Sequence, residues 1–382
     1  MKRAEDEALA ASSRERFALR APSIGAGDLD ALAAALDGGT LSGESAWVGR
    51  YERALAARFG AGHAVAVSSG SAALQVALRA AGAVDGAEVL VPATAPLPSL
   101  LPILATKAVP VVVDVAPDAL GFDPEDLRRR VGPRTRAALA VLLWGYPQDL
   151  VSALAVLDPL GVPLIEDACQ AHGTTIGGRS AGTIGKIGCF STHDFKLLST
   201  GEGGFILTDD GGLAREIARY ARLGGLDGVH AGLNYKLGAL PAALGLHRLA
   251  QLDGRLAQQR RNARRLAARL DLRLLTPLPE AGGEPNYYSF VALMNLPGEA
   301  CSHAARTLAK FGLETDGSRF GYDLVYRRPL FTQLATPCPN AERLVARTLQ
   351  LPCHPALSEA EIDRIADLVS AAVAGAAPGS VA

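Results

Sequence analysis

Short runs of apolar residues recur between residues 64 and 209, and each run is followed by a turn and by a helical or loop segment. Their hydrophobicity is continuous rather than alternating, which indicates strands buried on both faces, as in a mainly parallel sheet covered by helices. The pattern therefore predicts a three-layer α/β fold. The predicted strands cover residues 64–69, 88–93, 109–115, 138–145, 162–168, 187–192 and 204–209, and predicted helices cover residues 71–82 and 123–131.

The pattern changes after Asp210. Residues 211–225 and 240–270 have apolar positions at helical spacing and are predicted to form long amphipathic helices, the second of which leaves the large domain. Further along the chain, a strand is predicted over residues 286–295 and helices over residues 302–312 and 358–375. These elements suffice for a small α+β domain.

The chain length supports two domains. A chain of 382 residues is too long for one small core and long enough for a large domain and a smaller one. We predict an N-terminal segment (residues 1–26), a large cofactor-binding α/β domain (residues 27–250) and a small C-terminal α+β domain (residues 251–382).

Composition and charge argue against several classes of protein. The formal net charge is -1 and no run of basic residues is present, so nucleic-acid binding is not expected. The most apolar stretch, residues 89–113, contains five prolines and Lys107, which is unfavourable for a membrane-spanning helix. The opening residues carry acids and lack an apolar core, so no secretory signal is expected and the predicted location is the cytoplasm. Five cysteines without a CxxC pair and scattered histidines predict neither a disulfide framework nor a metal site.

Lysine is rare in this chain, since only six of the 38 basic residues are lysines. Arginine has taken over nearly every general cationic role, so few side chains can supply a primary amine. One of them, Lys196, lies in "HDFKLLSTGEGGFIL" (residues 193–207), just before a glycine-rich turn that leads into an apolar strand. A solvated loop lysine is the alternative interpretation, and the rarity of lysine weakens it.

The stretch "SSGSAAL" (residues 68–74) is a candidate phosphate site. A strand ends there, Gly70 allows a tight turn, and small hydroxyl residues begin a helix. Backbone N–H groups at a helix start, with the helix dipole behind them, favour an anion, so Ser71 and the amide of Ala72 would form the cradle. The alternative is an ordinary N-cap, because serine is favoured at that position in any protein.

The stretch "LIEDACQAHG" (residues 164–173) places an acid at the end of a buried strand. Ligands of open α/β sheets gather at the carboxyl ends of the strands, so Asp167 is well placed to meet one. A buried carboxylate needs a cation or several donors, and a protonated heterocyclic nitrogen would serve. The alternative is that Asp167 caps the next helix. With a phosphate cradle and Lys196 expected at the same edge, these are the groups that a pyridoxal 5'-phosphate enzyme requires.

The sequence resembles the DegT/DnrJ/EryC1/StrS family of sugar aminotransferases, which are fold type I pyridoxal phosphate enzymes. The resemblance spans nearly the whole chain. It is carried by "LDGGTLSGESAWVGRYERALAARFGAGHAVAVSSGSAAL", by "PLIEDACQAHGTTIGGRSAGTIGKIGCFSTHDFKLLSTGEGGFILTDD", by "NYKLGALPAALGLHRL" and by "LQLPCHPALSEAEI". Several motifs in the same order make chance agreement improbable.

The resemblance implies a role for individual residues. Lys196 would bond covalently to the cofactor aldehyde, Asp167 would pair with the ring nitrogen, and Gln170 would lie near the ring hydroxyl. The phosphate would be held by residues at the helix start and at the end of a strand, namely Gly70, Ser71, Ala72 and Ser191. In the family, the asparagine of the "NYK" motif, here Asn234, reaches the phosphate from the neighbouring subunit, which implies a homodimer with shared active sites.

The match to the family is imperfect at Pro96. That position usually supplies an aromatic side chain that stacks on the cofactor ring, and its loss would weaken ring binding by about 0.5 to 1.5 kcal/mol. Four further residues are candidates for substrate contact because they adjoin the motifs, namely His172, His193, Tyr235 and Lys236. Hydrogen bonding, packing or an interface role is the alternative for each.

The resulting hypothesis is an aminotransferase that moves an amino group from glutamate or glutamine to a keto-sugar or keto-cyclitol in amino-sugar or antibiotic biosynthesis. One alternative is a pyridoxal-phosphate-dependent sugar dehydratase or other lyase. Some relatives with that activity replace the lysine by histidine, so Lys196 argues against that variant. A second alternative is a cofactor-binding regulatory protein without turnover, which the unusual "APLP" segment (residues 95–98) keeps open.

Overall fold

A computed structural model describes residues 16–22 and 24–377 of the chain. Residues 1–15, which contain most of the predicted N-terminal segment and the stretch judged to lack a secretory signal, lie outside the described residues. The strands are β1 (His63–Val67), β2 (Glu88–Pro92), β3 (Val109–Val113), β4 (Thr135–Val141), β5 (Leu164–Asp167), β6 (Thr175–Ile176), β7 (Arg179–Ser180), β8 (Ile187–Ser191), β9 (Gly204–Thr208), β10 (Leu275–Pro277), β11 (Gly283–Glu284), β12 (Phe290–Met294) and β13 (Thr348–Leu351).

The helices surround these strands. They are α1 (Asp28–Asp37), α2 (Ala46–Phe59), α3 (Gly70–Ala80), α4 (Leu97–Ala105), α5 (Pro124–Arg130), α6 (Leu150–Leu157), α7 (Gly211–Ala221), α8 (Ala239–Ala250), α9 (Leu252–Arg269), α10 (Gly298–Lys310), α11 (Asp316–Phe320), α12 (Pro339–Arg347) and α13 (Glu359–Ala376). None of the described helices is long and apolar enough to cross a membrane.

The central sheet has seven strands in the order β1-β9-β8-β5-β4-β2-β3. Its strands are parallel except for β9, which pairs antiparallel with both β1 and β8. Apolar clusters on the two faces of this sheet are covered by helices, as continuous hydrophobicity requires. The predicted three-layer, mainly parallel α/β fold is confirmed, and all seven predicted strands are present.

Three of the predicted elements are interrupted by turns, and one of them, the strand predicted over residues 286–295, begins at Phe290 after a turn at Tyr287. The strand predicted over residues 138–145 ends at Val141, because Leu143–Gly145 form a tight turn in which Trp144 has a φ of 55°. The long helix predicted over residues 240–270 is divided at Gln251 into α8 and α9. The predicted domain boundary between residues 250 and 251 coincides with this junction and stays a prediction.

The C-terminal part of the chain forms a smaller, separate sheet with its own helices. A three-stranded antiparallel sheet has the order β10-β12-β13, and α13 packs against α9 and α10. The N-terminal residues 16–22 run along this part: Phe17 donates its N–H to Gly312 at 3.0 Å, and Ala18 accepts a bond from His354 at 3.2 Å. This contact carries Arg20 to the carboxyl edge of the central sheet.

Candidate active site

A cavity of about 600 Å³ opens at the carboxyl edge of the central sheet. It lies where β5 and β8 end, beside the first turn of α3, which is where ligands of open α/β sheets bind. Residues near the C-terminal sheet and the N-terminal segment close the opposite side. The structure brings many of the residues singled out in the sequence into its wall, namely Gly70, Ser71, Pro96, Asp167, Gln170, Ser191, His193 and Lys196.

Lys196 follows β8 on a loop that the buried side chain of Arg248 holds in place. Its side-chain nitrogen donates to the phenol oxygen of Tyr288 at 3.3 Å. Ser199, which lies three residues after Lys196, accepts two hydrogen bonds from Arg248, at 3.1 Å on its carbonyl and at 2.6 Å on its hydroxyl. Arg248 is also paired with Asp28 at 2.6 Å. The loop is therefore anchored to α1 and α8, and the amine faces the cavity from a supported backbone.

Asp167 is the last residue of β5, and its side chain is nearly buried in the cavity wall. One carboxylate oxygen accepts a bond from the hydroxyl of Ser99 at 2.6 Å, and the other accepts a bond from the N–H of Cys169 at 3.1 Å. These two donors support a buried carboxylate while leaving it further capacity to accept a hydrogen bond. Ser99, near the start of α4, was not singled out in the sequence. A buried acid requires a hydrogen-bond donor, and that requirement could have indicated a hydroxyl residue such as Ser99 near Asp167.

The start of α3 approaches the end of β8 too closely for any side chain but hydrogen at residue 70. A Cβ atom built on Gly70 would lie 2.6 Å from Cβ of Ser191 and 3.1 Å from Sγ of Cys169. Ser69 is the N-cap, and its hydroxyl accepts the N–H of Ala72 at 3.0 Å. Ser71 lies exposed in the first turn. The arrangement brings a helix N-terminus and two serine hydroxyls to one corner of the cavity, which suits an anion.

Gln170 is held by the tight turn that ends β4. Its side-chain oxygen accepts the N–H of Trp144 at 2.6 Å, so its amide nitrogen remains as the donor toward a ligand. Beside it, burial and then the charge of Asp167 raise the pKa of the Cys169 thiol well above its usual value. The thiol in the cavity wall is consequently neutral.

His172 lies behind the cavity wall rather than in it. Its ring packs 5.3 Å from the ring of Phe190 and is almost completely buried, with Nε2 lacking a hydrogen-bond partner among the described residues. Burial, and then the charge of Lys196, lower the pKa of His172 to about 3. The imidazole is therefore neutral at physiological pH, and His172 is not among the cavity-lining residues.

Three other candidates also lie away from the cavity of their own chain. Tyr235 donates its hydroxyl to Gln75 at 2.8 Å, and Lys236 packs against Gly43. Asn234 is exposed on the surface. The fourth, His193, does line the cavity, with Nε2 3.8 Å from a carboxylate oxygen of Glu202.

A buried polar cluster on the side opposite Asp167 was missed in the sequence. Arg20 donates to Asp316 at 3.0 Å, and Trp144 donates its indole N–H to the same carboxylate. Burial alone would lower the pKa of Arg20, but the nearby Tyr288 and Asp316 raise it above its usual value. The members of this cluster are up to 296 residues apart, so no local pattern could have joined them.

Pro96 lies in the cavity wall at the N-cap of α4, where an aromatic residue is usual in the family. Aromatic side chains reach the cavity from other directions instead. They are Phe195, Tyr288, Phe320 and Tyr322, and the ring of Tyr322 packs edge-on against Trp144 with centroids 5.2 Å apart.

The cavity meets the chemical demands of pyridoxal 5'-phosphate. Lys196 offers an amine for the aldehyde, Asp167 offers a buried carboxylate for a protonated ring nitrogen, and the glycine-bounded start of α3 offers donors for the phosphate. Only a glycine fits where that cradle meets Ser191, so the corner is shaped for a group that approaches the backbone closely. On this fold, these groups define a pyridoxal-phosphate-dependent protein.

Comparison with known proteins shows which family this is: the chain belongs to the DegT/DnrJ/EryC1/StrS aminotransferase family, whose model matches residues 22–370. GDP-perosamine synthase of Caulobacter vibrioides is 31% identical over 368 residues, 93% of this chain and 97% of that protein. L-glutamine:2-deoxy-scyllo-inosose aminotransferase of Streptoalloteichus tenebrarius is 33% identical over 300 residues, 73% of this chain and 71% of that protein. The crystal structure of the aminotransferase TlmJ from Streptoalloteichus hindustanus has a TM-score of 0.87 at 27% identity, covering 94% of this chain and 100% of that one. The predicted family, enzyme class and cofactor are confirmed.

Proposed function

We propose that this enzyme transfers an amino group from glutamate or glutamine to a keto-sugar or keto-cyclitol in amino-sugar or antibiotic biosynthesis. The observation that carries the proposal is the convergence of Lys196 and Asp167 on one cavity with polar and aromatic walls. The relatives include proteins named as aminotransferases of scyllo-inosose compounds and of a nucleotide-linked amino sugar. A cavity lined by arginine, aspartate and aromatic side chains suits a small polyhydroxylated ketone.

Seven residues of one chain have a proposed part in binding the cofactor, and all of them except Ala72 line the cavity. Lys196 would bond to the aldehyde carbon, Asp167 would pair with the ring nitrogen, and the Gln170 amide would donate to the ring hydroxyl. Gly70, Ser71, Ala72 and Ser191 would hold the phosphate. When bound, the cofactor supplies an electron sink for the carbon that loses its proton. Lys196 then serves as the acid and base that moves this proton between two carbons.

Ser99 supports the role of Asp167. To pair with the ring nitrogen, the carboxylate of Asp167 must face it. The 2.6 Å bond from Ser99 and the 3.1 Å bond from the Cys169 N–H each hold one carboxylate oxygen in place in the cavity wall. The two donors thus fix the orientation in which Asp167 would meet the cofactor.

The function is tested with the purified protein and labelled donors. Nitrogen-15 glutamine and glutamate are offered with a panel of keto-sugars and keto-cyclitols, and products are identified by mass. Label in an aminated product supports the proposal. Loss of a hydroxyl from the substrate without nitrogen incorporation would indicate the dehydratase alternative. A visible spectrum that responds to no donor and no ketone would indicate a binding protein.

The part played by Lys196 has a matched control. Lys196→Ala should abolish the visible absorbance of the covalently held cofactor, because Lys196 is the only lysine that lines the cavity within the described part of the chain. Lys310→Ala, at an exposed position near the end of α10, should leave it unchanged. An unaltered spectrum in Lys196→Ala would contradict the assignment.

We further propose a homodimer in which Asn234 completes the partner's phosphate site. Asn234 is exposed and lies outside the cavity of its own chain, near the exposed apolar residues Leu226 and Val229. Leu97 and Leu101, on α4 beside the cavity, also expose apolar surface. Exposed apolar residues around a polar site are typical of a protein interface. The cytoplasmic location stays a prediction.

Subunit mixing tests the shared site. Lys196→Ala and Asn234→Asp should each be inactive, the latter because its charge repels the phosphate. If Asn234 acts across the interface, a mixed dimer has one site with both native residues, so mixing should restore about one quarter of the wild-type activity. If Asn234 acts within its own chain, mixing restores none.

A further inference from the structure

Tyr288 accepts a hydrogen bond from the Lys196 amine, although Tyr288 is not among the proposed cofactor contacts. The amine donates to the phenol oxygen at 3.3 Å and lies 4.4 Å from the centre of the tyrosine ring. A cation near both the hydroxyl and the ring is attracted by each of them. The two contacts together restrict where a lysine with a long, flexible side chain can place its nitrogen.

The backbone of Tyr288 is tied to the loop that follows Asp167. Asn286, which is buried, accepts the N–H of Tyr288 at 2.8 Å with its side-chain oxygen. The amide nitrogen of the same side chain donates to the carbonyls of Gln170 at 2.9 Å and of His172 at 3.0 Å. One buried asparagine therefore sets the distance between Tyr288 and the loop that carries Gln170.

The turn before Tyr288 has an unfavourable backbone conformation. Tyr287 has a φ of 54°, which is rare for a bulky residue and persists only where the surroundings enforce it. Gln259 enforces it by donating to the carbonyls of Asn286 at 2.9 Å and of Tyr287 at 2.7 Å. As a result, Tyr287 packs against Tyr146 while Tyr288 lines the cavity. Strain of this kind clusters at functional sites.

Arg20 holds the ring of Tyr288 in place. The guanidinium carbon lies 4.1 Å from the ring centre, and Arg20 is itself fixed by bonds to Asp316 at 3.0 Å and to the hydroxyl of Ser289 at 3.2 Å. A side chain with buried, hydrogen-bonded neighbours keeps one rotamer. The phenol that meets Lys196 is thus held on its backbone side and on its ring.

We propose that Tyr288 is a positioning residue that holds the Lys196 amine during the part of the reaction in which this amine is not bonded to the cofactor. The inference rests on the proposed transamination. In that reaction the amine gains a proton from one carbon as its C–H bond breaks, and gives a proton to another carbon as a new C–H bond forms. Lys196 is unchanged overall, and Tyr288 accepts a hydrogen bond without gaining or losing a proton. Because proton transfer depends strongly on alignment, holding the amine accelerates both transfers.

Tyr288→Phe tests the proposal because it keeps the ring and the Arg20 contact and removes only the phenol oxygen. We expect the rate of the half-reaction with glutamate to fall at least about tenfold, with the KM for glutamate within about twofold of wild type. The isotope effect with α-deuterated glutamate should increase, because proton transfer becomes slower than the other steps. Covalent capture of pyridoxal 5'-phosphate by the cofactor-free protein, followed by visible absorbance, should also be slower.

Tyr326→Phe is the matched control, since its phenol donates to Glu342 at 2.9 Å and Tyr326 is not among the cavity-lining residues. This variant should retain the wild-type capture rate and isotope effect. A wild-type capture rate together with a wild-type isotope effect in Tyr288→Phe would overturn the proposal. A slower reaction with an unchanged isotope effect and a larger loss of Tm than in Tyr326→Phe would also overturn it. The half-reaction needs no ketone, so failure to find an acceptor ketone counts against the proposed function alone.

Discussion

Gly70→Ala should damage the fold and the cofactor site together. The new Cβ atom would lie 2.6 Å from Cβ and 3.2 Å from Cα of Ser191, whereas carbon atoms in good contact are about 3.5 to 4.0 Å apart. Gly70 is not in the left-handed region of φ, so the effect is steric rather than conformational. Relief of the overlap requires the start of α3 to move about 1 Å from the end of β8. Overpacking of this kind costs about 1–3 kcal/mol of unfolding free energy.

The same shift should weaken cofactor binding. Gly70, Ser71, Ala72 and Ser191 are proposed to hold the phosphate from two elements, and separating these elements stretches contacts from one of them. A hydrogen bond to a charged group contributes about 1.5–3 kcal/mol, so the Kd for pyridoxal 5'-phosphate should rise by about 10- to 100-fold. Urea denaturation of the cofactor-free protein and titration with the cofactor measure the two effects.

Gly254→Ala provides the control. This glycine is exposed within α9, and a Cβ atom built there meets nothing within 4 Å. Alanine is a better helix former than glycine, so this variant should gain about 0.5–1 kcal/mol and bind the cofactor normally. If Gly70→Ala has the unfolding free energy and the cofactor Kd of the wild type, the close approach of α3 to β8 does not shape the phosphate site.

Two further predictions follow from buried polar groups. Ser99→Ala should lower the unfolding free energy by about 1–3 kcal/mol and weaken cofactor binding, because Asp167 loses a hydrogen-bond donor. Ser99→Thr keeps a hydroxyl and should recover both properties. Equal cofactor affinity in wild type and the two variants would contradict this role. For His172, burial lowers the pKa from 6.5 to about 3, so the unfolded state binds the extra proton between these values. The contribution of neutral His172 to the unfolding free energy is complete above pH 6.5 and is lost as the pH falls below that value. Between pH 7 and pH 5, wild type should therefore lose about 2 kcal/mol more unfolding free energy than His172→Phe. Parallel pH profiles of the two proteins would refute this.

Much of the site was accessible from the sequence because its residues occupy the ends of strands. Parallel strands present their carboxyl ends at one edge of the sheet. Asp167 at the end of β5 and Lys196 after β8 were therefore expected to meet, and both line the cavity. His172, Tyr235 and Lys236, which do not line it, were chosen for adjacency to a motif. Adjacency along a loop does not determine which side chains face a cavity and which face the core.

The sequence by itself determined the layered fold, its seven central strands and the cofactor, because these depend on runs of apolar residues and on motifs read within a few residues. The tertiary structure decided the wall opposite Asp167, where Arg20, Trp144, Tyr288 and Asp316 meet from distant parts of the chain. It also decided the turns at Trp144 and Tyr287, whose left-handed backbone is unfavourable for an isolated aromatic residue. Such turns persist because buried hydrogen bonds from other elements hold them, and no short stretch of sequence encodes those bonds.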